Sequence, residues 1–373
     1  MTKELFRKLK KYFDNDDFPN IEKEINGSRF LKLRSISRKS NLEEIAAINF
    51  INLANGNADH MFEQLFCDST LTESEIDKYI SGKYKNERLA RKTDEDYLID
   101  QLNRLPIFDW GGSHGNSLEK NIVNNYVKKL KSYDQIKEAI EGTLFHSLKG
   151  YTLNSWYNHW TSIIIEDIFK DHYAVLPTVG LVKKIDFFIN NIPFDLKVTY
   201  FPEQLMKDEL KKIGFGNELT ETKRVCRKLG ISIPNDLGDE ELKLHLQNKL
   251  NECVDPSAKE YLTNLKKLKL QIIEQYKSKP HDLMVWFYEN QGEMRFDASN
   301  RFFLVLINNS NFTESWKIKR NIIFLKENIN SHLADIKNRT QSMEIEFYWK
   351  KTETTYSCKS DILFLNYESN DAL

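Results

Sequence analysis

The stretch that most constrains the fold of this chain is residues 181–200, with the sequence LVKKIDFFINNIPFDLKVTY. Apolar and polar residues alternate on both sides of Asn190-Asn191, which is typical of two antiparallel strands. A tight hairpin turn requires positive φ angles, and paired asparagines tolerate them. The sequence therefore predicts a hairpin in which the numbers of opposed residues share one sum, so that Phe187 faces Phe194 and Asp186 faces Asp195.

This register gives the predicted hairpin an apolar face and a charged face. The apolar face, which would seal a core, consists of Ile185, Phe187, Ile189, Ile192, Phe194, Leu196 and Val198. The charged face consists of Lys184, Asp186, Asp195, Lys197 and Thr199. Opposed side chains in an antiparallel pair lie about 5 Å apart, and two carboxylates at that distance repel by about 3 kcal/mol at an effective dielectric of about 20. The repulsion has to be compensated.

Two compensations are open at this stage. In the first, Lys184 and Lys197 neutralise the aspartates and form a solvated, salt-bridged surface without a function. In the second, a divalent cation sits between Asp186 and Asp195, with Lys197 beside it. Mg²⁺ suits such a place because it prefers oxygen ligands, is held by one or two carboxylates and keeps bound waters for chemistry.

Composition restricts the partners of the chain. Its 373 residues leave room for two or three domains, and its 54 basic and 55 acidic residues give a formal charge of −1. A nucleic-acid partner therefore requires local basic clusters. Such clusters occur at residues 3–11, 32–39, 83–92, 207–228 and 317–320, although a charge run is usually a solvated helix face.

The cysteines and the apolar runs indicate the compartment. Cys67, Cys226, Cys253 and Cys358 show no paired spacing, so neither a zinc site nor a disulfide framework is predicted. The first residues lack the apolar core of a signal peptide, and the longest apolar runs are too short to span a bilayer. We expect a cytoplasmic protein without a membrane partner.

The pattern along the chain predicts two domains. Residues 1–110 are expected to form a helical N-terminal domain, and residues 111–373 a second domain with a helical insertion at about 203–280. Helices are expected at 118–130, 133–148, 154–170 and from 315 onward. Strands are expected at 173–176, 282–288, 301–307, 344–349 and 361–365. The glycines of residues 110–115 could cradle a phosphate ahead of a helix, but their spacing favours an ordinary linker.

The predicted helix 154–170 carries a narrow polar stripe of His159, Ser162, Glu166 and Lys170 opposite its tryptophans and isoleucines. Any amphipathic helix has a polar stripe. This stripe gains interest from its position, because the helix directly precedes a short strand and then the charged hairpin. Lone histidines such as His114, His159 and His172 are more often surface or core residues than metal ligands.

Glu166 on a helix, followed by Asp186 and then by Asp195-Leu196-Lys197, resembles the PD-(D/E)xK nuclease superfamily. The resemblance covers residues 154–200 and extends by element order to about 307. It implies a restriction-endonuclease-like α+β fold, in which a mixed sheet is flanked by helices. The core of that family is a helix, three strands, a helix and a further strand. Ile185 stands where the family name has a proline.

The resemblance also implies roles for particular residues. Asp186 and Asp195 look like metal ligands, the carbonyl of Leu196 adds a third oxygen, and Lys197 contacts the attacking water or the scissile phosphate. Glu166 looks like the helix glutamate that holds a second metal or orients the lysine. The implied cofactor is Mg²⁺, with Mn²⁺ as a substitute.

The resulting hypothesis is a Mg²⁺-dependent endodeoxyribonuclease, of the restriction or anti-phage defence kind, acting as a homodimer on double-stranded DNA. The side chains expected to contact DNA are Lys184, Thr199, Gln291, Arg295, Lys317, Lys319 and Arg320. Two alternatives remain open. One is a nuclease of repair or recombination, and the other is a non-catalytic nucleic-acid-binding or assembly subunit whose hairpin charges are structural.

Overall fold

The computed structural model describes residues 1–108, 118–180, 182, 184–235, 237–291, 298–336 and 344–368. The fold is a mixed α/β structure with one open, six-stranded sheet. This agrees with the α+β class expected from the sequence. Among the helices of the described ranges, none has the length and apolar character needed to cross a bilayer.

The N-terminal part is helical, as predicted for residues 1–110. Its helices are α1 (Lys3–Asp14), α2 (Phe18–Lys23), α3 (Gly27–Ser35), α4 (Lys39–Ile48), α5 (Ala58–Cys67), α6 (Glu73–Lys92) and α7 (Glu95–Asn103). The expected domain boundary near residue 110 lies outside the described residues.

The next three predicted helices form two helical runs. α8 (Leu118–Ile122) continues as a π-helical turn (Val123–Val127). α9 (Tyr133–Ala139) passes through a second π-helical turn (Ile140–Leu144) into α10 (Phe145–Lys170). The helical character of 118–130, 133–148 and 154–170 is confirmed, and the last two segments belong to one continuous run.

The strands are β1 (Val175–Pro177), β2 (Phe187–Ile189), β3 (Ile192–Tyr200), β4 (Arg301–Asn308), β5 (Glu344–Trp349) and β6 (Thr354–Tyr367). Their order in the sheet is β1-β2-β3-β4-β6-β5. β1, β2 and β3 pair antiparallel, β4 lies parallel to both β3 and β6, and β5 is antiparallel to β6. The expected strands at 301–307, 344–349 and 361–365 are confirmed.

The hairpin turn has the predicted position and register. Asn190 and Asn191 adopt φ angles of 50° and 65°, and Phe187 pairs with Phe194. The positive φ angles of both central residues match the right-handed twist of the flanking strands. The first arm is shorter than expected, because β2 begins only at Phe187.

Both faces of the hairpin are buried, which corrects the expectation of one apolar and one charged face. Phe187 and Phe194 join the core beneath α10. Phe188 and Ile185 join the core of the N-terminal helices instead. Ile185 therefore leaves the predicted face, because Lys184 before it has a φ of 64° and the regular alternation of a strand does not reach back beyond Phe187.

The segment after β3 is helical, as expected for an insertion. It comprises α11 (Glu203–Lys212), α12 (Glu218–Lys228), α13 (Asp239–Glu252), α14 (Pro256–Ser278) and α15 (Pro280–Asn290). The predicted strand at 282–288 is wrong, because these residues belong to α15. Its buried residues Leu283, Met284, Phe287 and Tyr288 recur at helical spacing, and Pro280 occupies the first turn, where proline favours a helix start.

Two helical layers cover the sheet. α10 and α16 (Ile322–Ala334) pack on one face, against alternate residues of β4 such as Phe302 and Leu304. α11, α14 and α15 pack on the opposite face, against Phe303 and Val305. A 3₁₀ helix (Phe312–Arg320) connects β4 to α16, so the helix expected from residue 315 onward begins as a 3₁₀ helix and becomes an α-helix only at Ile322.

A buried ionic network joins the N-terminal helices to α10. Asp167 accepts hydrogen bonds from Nε and Nη2 of Arg91 at 2.8 and 2.7 Å, and Arg88 lies within 3.6 Å of the same carboxylate. The hydroxyl of Tyr84 donates to Asp167 at 3.2 Å and to Asp171 at 2.9 Å. Because Asp167 and Arg88 are buried, each depends on its partners, and the network fixes α6 against α10.

The Asn190 turn gives a test of the hairpin. We expect Asn190→Val to lower the free energy of unfolding by about 1–2 kcal/mol, because a β-branched residue is strained at positive φ. Asn190→Gly should retain the wild-type stability, because glycine adopts this φ without a penalty. Urea unfolding of the three proteins makes the comparison, and equal midpoints would contradict the assigned turn.

Candidate active site

Main-chain contacts on two sides fix the position of Asp186. Its N–H donates to the carbonyl of Phe194 at 2.8 Å, and its carbonyl accepts the Oγ1 hydroxyl of Thr178 at 2.7 Å. Its carboxylate Oδ2 accepts the N–H of Leu196 at 2.7 Å. The Asp186 side chain therefore accepts the hydrogen bond that a backbone carbonyl would accept in a regular strand pair. Asp186 directly precedes Phe187, the first residue of β2.

Asp195 lies on β3, opposite Arg301 in the parallel ladder. Its Oδ1 is 2.9 Å from Nζ of Lys197, and its Oδ2 is 2.9 Å from Nη1 of Arg301. The Arg301 side chain is only 2% exposed, whereas that of Lys197 is 35% exposed. Asp195 thus links a buried guanidinium to a lysine that solvent can reach.

Glu166 approaches the hairpin from α10. It forms an ion pair with Lys170 one turn later, and Lys170 also donates to the carbonyl of Thr178 at 3.4 Å. The side chain of Glu166 is 29% exposed. Of the polar stripe predicted on this helix, Lys170 therefore contacts Thr178, and the charge of Glu166 acts on Asp186.

The three acids influence one another through Asp186. Burial and, after it, the negative charges of Glu166 and Asp195 together raise the pKa of Asp186 to about 7, against the lowering effect of the Leu196 N–H. The paired register ends at Phe187, and the Asp186 N–H bonds to Phe194, so Asp186 and Asp195 are not a backbone pair as predicted. The charge of Asp195 nevertheless acts on Asp186, as the charge of Glu166 does, and both disfavour the ionised form of Asp186.

β3 carries Asp195, Lys197 and Thr199 on one face of the sheet, because they alternate with residues of the α10 core. The parallel register pairs Lys197 with Phe303, which packs against the layer of α11, α14 and α15. Phe188 of β2 lies on this same face and packs against the N-terminal helices. The polar residues of β3 therefore lie between two helical coverings.

The oxygen atoms of Asp186, Asp195 and Leu196 are of the kind that binds a hard divalent cation. In the described part of the chain, no three histidine, cysteine, aspartate or glutamate side chains are gathered closely enough to hold a metal ion. Two carboxylates and a main-chain carbonyl are nevertheless the type of oxygen donors that Mg²⁺ takes. Because N–H and C=O of one strand residue point to the same side, the Leu196 carbonyl faces Asp186, as its N–H does.

Sequence reasoning missed Arg301 and Asn300. Arg301 holds Asp195, and the carbonyl of Asn300 accepts the N–H of Asp195 at 3.2 Å. The sequence pattern that could have indicated Arg301 is one charged residue at the start of an otherwise apolar strand. Its role follows only from the parallel pairing of β3 with β4, which joins residues about a hundred positions apart and leaves no local pattern.

Two of the lysines expected at DNA are engaged elsewhere, which corrects their predicted role. Lys184 lies 3.3 Å from Asp16 and over the ring of Phe18, because its positive φ turns it toward the N-terminal helices. It therefore does not neutralise the hairpin aspartates. Lys319 is only 6% exposed and donates to Oδ1 of Asn158 at 2.9 Å.

The other expected DNA contacts have mixed positions. Arg320 donates to three main-chain carbonyls at the end of α7 and stacks on Trp316, so its role is structural. Lys317 pairs with Glu314 at 2.8 Å. Thr199 and Gln291 line a cavity at the end of β3. Arg295 lies outside the described residues.

Comparison of the chain with protein-family models, with curated proteins and with solved structures gave no significant match.

The potential at Asp186 leads to a stability prediction. A carboxyl whose pKa is raised on folding stabilises the protein below pH 4, and this contribution is lost as the pH rises to about 7. In EDTA at pH 8, we expect Asp186→Asn to raise the free energy of unfolding by about 1–3 kcal/mol. The gain should shrink at pH 5. Asp208→Asn, which alters an exposed carboxylate of α11, is the control, and a destabilised Asp186→Asn at pH 8 would contradict the assignment.

Lys319 leads to a second prediction. Burial lowers the pKa of Lys319 from 10.5 to about 8, so the folded protein binds fewer protons than the unfolded chain between these values. Relative to Lys319→Met, the wild-type protein should gain stability as the pH rises from 8 toward 10, by about 1–3 kcal/mol. Lys317→Met should not show this change. Denaturation curves at several pH values provide the measurement, and a pH-independent difference for Lys319→Met would exclude a buried ammonium.

Proposed function

We propose that this protein is a Mg²⁺-dependent endodeoxyribonuclease of the PD-(D/E)xK type, with Mn²⁺ able to substitute. The observation that carries the proposal is the placement of two acids beside β3: Asp186 accepts the N–H of Leu196 at 2.7 Å, and Asp195, one residue before Leu196, lies 2.9 Å from Nζ of Lys197. Two acids and a lysine at this spacing are a complete set for metal-assisted hydrolysis of a phosphodiester.

The order of elements supports the proposal. A helix with Glu166 is followed by three antiparallel strands, a run of helices and a fourth strand beside the third. This is the order that the resemblance implies, with the acids and the lysine at the second and third strands. The additional helices between β3 and β4 cover one face of the sheet and surround the carboxyl ends of these two strands.

The chemistry divides between the cation and the protein. Mg²⁺ held by Asp186, Asp195 and the Leu196 carbonyl would supply a bound water of lowered pKa and offset the charge of the phosphate. The Lys197 ammonium, exposed on the same face, adds a positive charge where negative charge develops on the phosphate oxygens. Arg301 fixes the orientation of Asp195, and Glu166 acts on Asp186 through its charge.

The setting we favour is restriction or anti-phage defence, with double-stranded DNA as the substrate and a homodimer that cuts one strand at each site. A repair or recombination nuclease would use the same residues. Thr199 and Lys197 are the proposed DNA contacts of the catalytic face. Lys319 and Arg320 are left out because their polar atoms are engaged within the protein.

One observation favours a second candidate, a non-catalytic nucleic-acid-binding or assembly subunit. Both oxygens of Asp195 already contact a cationic side chain, and Glu166 already pairs with Lys170. An ion-paired cluster of this kind can be structural. Asp186 argues for the nuclease, because a main-chain N–H and an acidic neighbour leave its negative charge uncompensated.

Plasmid cleavage tests the proposal. We expect the wild-type protein to cut supercoiled DNA in Mg²⁺ and to leave it intact in EDTA. Lys197→Ala and Asp195→Asn should each reduce the rate by about 10²-fold or more, because they remove a charge that acts on the transition state. Discrete fragments would indicate a site-specific enzyme, and nicking would indicate a nuclease directed by DNA structure.

Lys249→Ala is a matched control, because Lys249 forms only a surface ion pair with Glu252. Its rate should equal that of the wild type. Intact DNA with the wild-type protein in both Mg²⁺ and Mn²⁺ would reject the nuclease and favour the binding subunit. Equal cleavage by the wild-type protein and by Lys197→Ala would reject this site.

A further inference from the structure

A cavity of about 660 Å³ opens at the carboxyl ends of β3 and β4. α11, α13 and α14 form one side, and the 3₁₀ helix after β4 forms the other. Ligands of sheets with parallel strands bind in this position, outside the carboxyl ends of the strands. The volume is in the range of small-molecule sites, which is roughly 300–1,000 Å³.

Aromatic side chains form the inner walls of the cavity. They include Tyr200 and Phe201 at the end of β3, and Phe312 and Trp316 on the 3₁₀ helix. Trp316 is only 7% exposed, with the ring of Phe108 stacked on it and the Arg320 guanidinium over it, whereas Phe201 and Phe312 are half-buried. Flat, fixed rings are the surfaces on which unpaired bases stack in proteins that bind single strands.

The outer part of the cavity is basic. Four lysines line it, Lys207, Lys243, Lys266 and Lys269, against the two acids Glu203 and Glu218. Glu218 is occupied by Lys269 at 2.7 Å and by Gln247 at 2.8 Å. Behind the aromatic wall, the buried ammonium of Lys319 lies 5.4 Å from the ring centroid of Tyr200. The cavity therefore offers aromatic surface and an excess of positive charge to one ligand.

The cavity begins two residues beyond the candidate active site on β3. Thr199 lines the cavity and lies two residues beyond Lys197, on the same face of the strand. At about 3.3 Å per residue, the two positions are about 7 Å apart. A strand whose phosphate is held at Lys197 would thus place a neighbouring nucleotide at the cavity entrance.

We propose that this cavity holds one unstacked nucleotide of the cleaved strand, with the base against Phe201 and Phe312 and the backbone phosphate toward the lysines. This inference rests on the proposed nuclease function and names its substrate class. The preferred substrate is DNA with an unpaired nucleotide beside the scissile bond. Unpaired DNA should bind better than an intact duplex, because a paired base has to be unstacked before it can enter.

Binding of a short fluorescein-labelled oligodeoxyadenylate in EDTA, followed by fluorescence anisotropy, tests the proposal with the full chain. Asn251→Trp fills the cavity from an exposed position on α13, and Lys266→Glu reverses an exposed charge at its rim. Each should weaken binding about tenfold. Lys267→Glu makes the same charge change at an exposed position outside the lining and should have a much smaller effect.

A second arm identifies the ligand. An oligonucleotide of the same length without bases should bind about tenfold more weakly than oligodeoxyadenylate, because it cannot stack. dAMP should compete only weakly. Saturation of the cavity by dAMP without measurable oligonucleotide binding would overturn the proposal and would identify a free nucleotide as the occupant. Unchanged oligonucleotide binding by Asn251→Trp and Lys266→Glu would also overturn it.

The experiments can reject the proposed cavity and the proposed nuclease activity separately. Lys197→Ala removes one proposed phosphate contact, so it should lose cleavage in Mg²⁺ by a much larger factor than it loses affinity for the oligonucleotide in EDTA. Oligonucleotide binding that depends on the cavity, without cleavage by the wild-type protein, would reject the nuclease alone. Cleavage that requires Lys197 but is unaffected by Asn251→Trp would reject the cavity alone.

Discussion

The structure depends on a short hairpin whose two faces are both buried. Phe187 stacks on Phe169 of α10 with a centroid distance of 5.3 Å, whereas Phe188 enters the core of the N-terminal helices. A slip of one residue in the pairing would exchange these faces and disrupt both cores at once. The register is therefore strongly specified, and with it the positions of Asp186 and Asp195 across the turn.

Two of the three acids near the hairpin have cationic partners, and Asp186 has only a main-chain N–H in the contacts described above. Asp195 has Lys197 and Arg301, and Glu166 has Lys170. Asp186 accepts a hydrogen bond from one main-chain N–H, and burial and its acidic neighbours raise its pKa. A cluster built only for stability would supply a cation there, because an uncompensated buried carboxyl costs free energy. Costs of this kind are typical of functional sites.

Local sequence signals predicted the parts of this fold that depend on local physics. The Asn190-Asn191 turn and the pairing of Phe187 with Phe194 follow from turn chemistry and alternation, and both are present. The prediction of a strand at 282–288 was wrong because a short apolar run does not distinguish a buried strand from a buried helix. In the structure, this segment is a helix that packs against β4. Arg301 and the contact of Lys184 with Asp16 depend on pairing between distant segments, which no window of sequence contains.

Asn300 shows that the N-terminal helices belong to the support of the candidate site. Its side-chain amide donates to the carbonyl of Pro193 at 3.0 Å and to Glu22 of α2 at 2.7 Å, and its amide oxygen accepts the N–H of Lys359 at 2.8 Å. Its main-chain carbonyl holds the N–H of Asp195. Burial raises the pKa of Glu22, as expected for a carboxyl enclosed between the two parts. Asn300 also directly precedes Arg301, which holds Asp195. The packing of the N-terminal helices and the position of Asp195 therefore depend on the same two residues.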